Sequence, residues 1–205
     1  MMKIYGLVLV FVPLTLLAEA NSVQHSQSSM NLISERFQDN HDGTLTDTTT
    51  QLIWMRCTVG QTWQGNHCHG EAIKMNWHQA ISKAETYIYT EKSDWRLPTL
   101  EELRTLVVCS SGLRREIRLR EDYAITDAEN GVRFDGRCKG DFDTPTIDQK
   151  AFPDTLKNNY WTSTEHPIFK QFSWGVNFSA GSEFNYLVKA EGQNRYVRLI
   201  RDAKQ

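Results

Sequence analysis

The stretch Phe172-Ser173-Trp174-Gly175-Val176-Asn177-Phe178 alternates large apolar residues with small or polar ones in a strict period of two. Successive side chains of a β-strand point to opposite faces, so this spacing predicts a strand with one apolar face. Ala180-Gly181-Ser182 follows as a turn, and Phe184 to Lys189 returns as the next strand. Upstream, Tyr160-Trp161-Thr162-Ser163-Thr164 reads as a neighbouring strand. Tyr196-Val197-Arg198-Leu199-Ile200-Arg201 reads as the closing one. The last quarter of the chain is therefore expected to be an antiparallel sheet.

Toward the N-terminus the period changes. Trp77, Ala80, Ile81, Ala84, Tyr87 and Ile88 fall at i, i+3, i+4, i+7, i+10 and i+11, one face of a helix over about 77–90, with Asn76 as its N-cap. Pro98 and the capping box Thr99-Leu100-Glu101-Glu102 start a second helix. Its buried stripe is Leu100, Leu103, Leu106 and Val107, and it is expected to end before Gly112. Residues 36–47 read as a β-hairpin with Asp42-Gly43 supplying the positive-φ turn, and Gln51 to Arg56 as a third strand. Residues 58–70 and 110–150 read as irregular loops. Two helices packed on an antiparallel sheet make an α+β domain.

The first twenty residues, MMKIYGLVLVFVPLTLLAEA, carry Lys3, an apolar run from Ile4 to Leu17, and Ala18-Glu19-Ala20 as a small-x-small cleavage signature. This is the pattern of a secretory signal peptide. The run is shorter than the ~20 residues that span a bilayer, and Pro13 interrupts it, so a membrane anchor is disfavoured and no transmembrane span is expected after cleavage. The expected organisation is a signal peptide over 1–20, a polar disordered leader over 21–33 and one domain over 34–205. Removing Lys3 and Glu19 with the signal leaves the net charge at −2, which argues against a global nucleic-acid binder.

An exported chain with four cysteines is expected to hold disulfides. Of three possible pairings, the sequential one, Cys57–Cys68 and Cys109–Cys138, closes two loops rich in Gly, Asn or charge. Each bridge is worth ~3 kcal/mol in the chain-entropy account.

Several stretches together resemble one bacterial family, the Lcl C-terminal domain family, named for the last module of a collagen-like adhesin. They are Arg36-Phe37-x-Asp39-Asn40-x-Asp42-Gly43-Thr44-Leu45-x-Asp47, Gln51 to Cys57, Gly60-Gln61-x-Trp63 with Cys68, and Asp94-Trp95-Arg96-Leu97-Pro98-Thr99-x-Glu101-Glu102-Leu103. At the end they are Tyr160 to Thr164, Trp174-x-Val176-x-Phe178 and Val197 to Arg201. The resemblance implies a compact exported module of C-type-lectin-like arrangement that acts in surface recognition, the adhesin member being associated with sulfated glycans. This chain has no Gly-x-y repeat, so the adhesin's trimer-forming stalk has no counterpart in it.

Within that frame the basic run Arg114, Arg115, Arg118 and Arg120 is the candidate ligand surface. Guanidinium forks match sulfate, carboxylate or phosphate, and Arg133, Arg137 and Lys139 extend the patch if the loop folds back. The competing reading is a solvated mixed-charge segment paired with Glu116, Glu121 and Asp122. Trp54, Trp95, Trp161 and Trp174 read as core, whereas Trp63, in a polar disulfide loop, is the candidate exposed ring.

Other chemistries fit less well. Asp39 to Asp47 fails the register of a calcium loop, with Gln38 at its first position and no Glu at its twelfth. His67-Cys68-His69 resembles a zinc set, but paired thiols in an oxidising space are expected to be bonded to each other. Ser163 and His166 lack a nucleophile elbow, and no free cysteine is left to act as a nucleophile. The expectation is a non-catalytic, cofactor-free recognition module, periplasmic or secreted. Its partner would be an extracellular glycan or other polyanion, and not nucleic acid. Alternatives are an envelope assembly component docking a protein and, third, an extracellular enzyme.

Overall fold

The computed structural model describes residues 32–115, 133–134, 136–166, 169–187 and 192–203. The signal-peptide segment and nearly all of the leader lie outside these residues. From Ile33 onward the chain forms one unit.

Among the described residues three antiparallel sheets are built from ten strands. The first has the order β1 (Phe37–Asp39), β2 (Thr44–Asp47), β3 (Leu52–Met55) and β10 (Ile200–Asp202). A small hairpin pairs β4 (Thr62–Gln64) with β5 (His67–His69). The third has the order β6 (Arg133–Phe134), β9 (Ser182–Leu187), β8 (Phe172–Asn177) and β7 (Asn159–Glu165). Among the described residues the helices are α1 (Trp77–Glu85) and α2 (Leu100–Arg104). Helices set against antiparallel sheets match the α+β expectation.

Strand β3 explains how the parts share a core. All four of its residues are buried, because it lies between β2 and β10 with a hydrophobic cluster on each side. Leu52 and Trp54 enter one cluster with Leu100, Leu103, Tyr160, Trp174 and Phe178. Ile53 and Met55 enter the other with Ala80, Ala84, Trp95, Leu97 and Trp161. Strand period thus sends alternate residues to two cores, one roofed by each helix.

The segment Trp95 to Thr99 joins these layers residue by residue. Trp95 and Leu97 fill the second cluster. Arg96 grips Glu102 with both Nη atoms at 2.8 Å and reaches Asp202 at 3.1 Å. The Pro98 carbonyl accepts from Ser163 N at 2.8 Å. Thr99 caps α2, its hydroxyl accepting from Glu102 N while the Glu102 carboxylate accepts from Thr99 N.

Four expectations are corrected in detail. The β1–β2 turn takes positive φ at His41 (62°) and Gly43 (85°), not at Asp42. Asp42 instead uses Oδ1 to accept from Thr44 N and Oγ1. Gly43 is required twice over, since a Cβ there would also lie 2.2 Å from the Tyr89 hydroxyl. Helix α1 stops at Glu85, short of Thr90, because Thr86-Tyr87-Ile88-Tyr89-Thr90 are poor helix formers. There Tyr89 and Lys92 pair in a tight turn, and Ile88, expected on the buried face, is 73% exposed. Helix α2 ends at Arg104, and Val107 leaves it to bridge Ile147. The loop over 58–70 contains the β4–β5 hairpin, in which Trp63 lies opposite Cys68.

Asp47 shows how the first sheet is tied off. Its side chain is fully buried and accepts from Arg36 Nε at 3.0 Å, Arg36 Nη2 at 2.5 Å, Thr49 N at 3.0 Å and Thr50 Oγ1 at 2.7 Å. Burial alone would raise this carboxyl, but the Arg36 guanidinium and the Thr50 and Thr49 donors outweigh it and hold it below the usual carboxylate range. A depressed folded-state pKa gives stability that is present above the unfolded value and lost as pH falls through the folded one. Asp47→Asn should therefore cost about 3 kcal/mol at neutral pH and flatten the acid limb. Urea unfolding from pH 7 to pH 2 measures both, and an unchanged midpoint at neutral pH would refute the assignment.

Candidate functional site

Both sequential disulfides are present, Cys57–Cys68 and Cys109–Cys138. The second builds the candidate site. Its 29-residue separation brings two distant chain segments together as a short antiparallel ribbon. Arg114 and Cys138 form the bridge, flanked by Lys139 N donating to Leu113 O and Arg115 N donating to Arg137 O, both at 2.9 Å.

In such a ribbon side chains alternate between faces. Arg114 and Cys138 share the inner face. Cys138 is buried, and Arg114 is partly so. Leu113, Arg115, Arg137 and Lys139 share the outer face. Leu113, Arg115 and Lys139 are exposed, and Arg137 is half-buried. Pairing of 113–115 with 137–139 puts Arg137 and Lys139 beside Arg115.

Arg114 has a different task from its neighbour. Its Nε donates to Gly136 O at 2.6 Å, and its Nη2 donates to Gly181 O at 3.3 Å and Glu183 Oε1 at 3.4 Å. It clamps the ribbon to the β8–β9 turn. Gly181, with φ of 68°, sits under the bridge, where a Cβ would come 3.0 Å from Cys138 Sγ. Glu183 is fully buried, and its Oε2 has no hydrogen-bond partner. Burial pushes the Glu183 carboxyl up, and the attraction of Arg114 and Arg104 offsets this only in part. Burial pushes the Arg114 guanidinium down. Nothing in the sequence marks Glu183 as the partner of Arg114, because the pairing arises only when the ribbon lands on the third sheet.

Arg118 and Arg120 lie outside the described residues. Trp63 is half-buried, and its ring stacks on the Arg56 guanidinium at 3.7 Å. Arg56 also pairs with Asp39 at 3.2 Å. Trp63, expected as an exposed ring, is thus partly covered, whereas the four expected core tryptophans, Trp54, Trp95, Trp161 and Trp174, are all buried.

The remaining polar constellations are committed elsewhere. Cys68 is bonded to Cys57, and its amide together with His67 Nδ1 contacts Asp154 Oδ2, at 2.9 and 3.2 Å. Ser163 Oγ donates to Pro98 O at 3.3 Å. His166 is buried with its ring stacked on Trp174, and its Nδ1 accepts from Phe169 N at 3.1 Å. Burial and then Lys170 push its pKa down. A cleft of about 430 Å³ opens between α1 and the Trp95–Thr99 segment, lined by Ile81, Ala84, Leu97 and Ser163. Among the described residues no group of three metal-ligating side chains converges, and no helix is long and apolar enough to cross a membrane.

The architecture of the described residues is that of a disulfide-stapled module of antiparallel sheets carrying two short helices. A family model of the Lcl C-terminal domain matches residues 43–201, most of the chain. The protein belongs to that family. Comparison with curated proteins and with solved structures finds no match.

Glu183 yields a pH test. A carboxyl whose folded pKa is raised holds its proton in the folded state over a window above its unfolded value, so stability declines as pH climbs through that window. Glu183→Gln should remove this decline while keeping one hydrogen bond to Arg114. Chemical unfolding across pH 4 to 8 checks it, and parallel curves for parent and variant would show that Glu183 does not titrate in this range.

Proposed function

We propose that this protein is an exported, non-catalytic recognition module that binds sulfated glycans or a similar extracellular polyanion through the outer face of the stapled ribbon. The observation that carries the reading is the shared face of Arg115, Arg137 and Lys139, drawn from two segments distant in sequence that the Cys109–Cys138 bond and the ribbon's hydrogen bonds hold together. Arg115 and Arg137 lie opposite each other across the ribbon, so their guanidinium groups share one face with Lys139. Guanidinium groups offer planar forks to sulfate oxygens, and the ammonium of Lys139 adds a point charge.

Export is supported by the two disulfides, which persist in oxidising compartments, together with the signal-like first twenty residues. Arg114 serves this site as a positioning residue, since its guanidinium is turned inward to Gly136, Gly181 and Glu183. Arg118 and Arg120 continue the same basic run in the sequence and lie outside the described residues.

Binding to an immobilised heparin surface tests the reading. Affinity should fall steeply between 50 and 300 mM salt, because the Debye length that screens exposed charges shrinks from ~14 Å to ~6 Å over this range. Replacing Arg115, Arg137 and Lys139 together by Ala should weaken binding about tenfold or more, at roughly 0.5 kcal/mol for each exposed charge. Absence of salt-sensitive binding, or full affinity in the triple variant, would rule out this surface.

A further inference from the structure

A second surface of the molecule has both shape and charge. A cleft of about 500 Å³ lies where the chain enters the domain, with an apolar lining of Ile33, Val108, Pro145 and Ile147. Val108 is 45% exposed there. Three carboxylates, Glu35, Asp143 and Asp148, and one ammonium, Lys150, line the same cleft. Ser34, in its wall, has a buried hydroxyl oxygen without a hydrogen-bond partner. An apolar floor under a net negative rim suits a group that is itself both apolar and cationic.

This chain carries such a group. Leu113 is 57% exposed, a large apolar residue standing in water among Arg115, Arg137 and Lys139. We propose that the stapled ribbon of one copy docks in the acid-rimmed cleft of a second copy. Leu113 enters the cleft against Val108 and Ile33, and the three cations meet the three carboxylates. Ribbon and cleft are close neighbours along the chain. The Ser110 hydroxyl accepts from Asp143 N at 2.7 Å, and the Ser111 hydroxyl donates to Lys139 O at 2.6 Å. A two-fold pairing therefore seats both ribbons at once and closes the assembly, as an isologous interface requires. The surfaces involved are small, so the association is weak and depends on concentration.

This inference uses the outer face of the ribbon but does not rest on the glycan reading. A polyanion and a second copy would compete for the same cations.

Sedimentation equilibrium on the purified, disulfide-intact protein from 10 to 500 µM tests it. A monomer–dimer equilibrium is expected at 50 mM salt, with the dissociation constant rising tenfold or more at 500 mM. Leu113→Asp and Asp143→Lys should each raise it at least tenfold. Both side chains are exposed, so both variants should keep the parent's circular dichroism and thermal midpoint. Asp143→Lys lies outside the ribbon and removes no cation, so it should bind heparin at least as tightly as the parent, which separates failure of this inference from failure of the glycan reading. A monomer at every concentration, or a dimer indifferent to both substitutions, would overturn the proposal.

Discussion

Two arginines supply the hydrogen bonds that let this much irregular chain be buried. A buried backbone carbonyl needs a donor, and a segment outside any sheet has no neighbouring strand to provide one. Arg56 donates from Nε to Ala151 O and from Nη2 to Lys150 O, both at 3.0 Å. Arg198, fully buried, donates to Met55 O at 2.9 Å, to Arg56 O, and to Thr155 Oγ1 at 2.8 Å. Five N–H donors and no acceptor make the guanidinium the side chain best suited to serve several carbonyls at once. Burial pushes both groups down in pKa, with Asp39 partly restoring Arg56. Aromatic faces help hold the charge, Trp63 for Arg56 and Phe152 with Tyr160 for Arg198. Without these donors the end of β3 and the 150–155 segment would each bury carbonyls at ~1–3 kcal/mol apiece.

How far the fold could be read ahead of the structure follows from where its information is local. The alternation over Phe172 to Phe178 located β8, and Thr99 with Glu102 located the start of α2, because period and capping are properties of a few adjacent residues. Helix ends were less readable. The i+10 and i+11 positions of α1 matched a helical face by spacing alone, yet Tyr89 is drawn away by a contact with the Asp42 carbonyl 47 residues distant. The β4–β5 hairpin was missed for a similar reason. Residues 58–70 have a loop composition, and their pairing is enforced by the Cys57–Cys68 bond and by Trp63 stacking on Arg56.

The candidate site was readable as a charged run but not as a surface. Leu113-Arg114-Arg115 looks like one basic patch in sequence, whereas strand geometry splits it, sending Arg114 to Glu183 and Arg115 to solvent. The second half of the patch, Arg137 and Lys139, is contributed from across the disulfide. Register decides which cations face together, and register here is fixed by the bridge and by Gly181 beneath it. Composition carries no record of either.

The same logic supports the proposal that irregular segments form recognition surfaces in this molecule. Closing a loop of 29 residues removes about 3.5 kcal/mol of unfolded-chain freedom in the entropic account, and the Arg114 clamp then fixes the ribbon's orientation against the third sheet. The wall of the acid-rimmed cleft is held in a comparable way, since Arg56 grips the carbonyls of Lys150 and Ala151 just beyond Asp148. Side chains presented on an anchored backbone lose less freedom when a partner arrives, and that saving goes into affinity. The sheets act as a scaffold, and the inward-facing guanidiniums convert loops into surfaces of defined shape. Under the proposed function, substitutions at Arg56, Arg114 or Arg198 should therefore alter binding without any of the three touching the ligand, which would separate anchoring residues from the proposed contacting ones, Arg115 and Lys139.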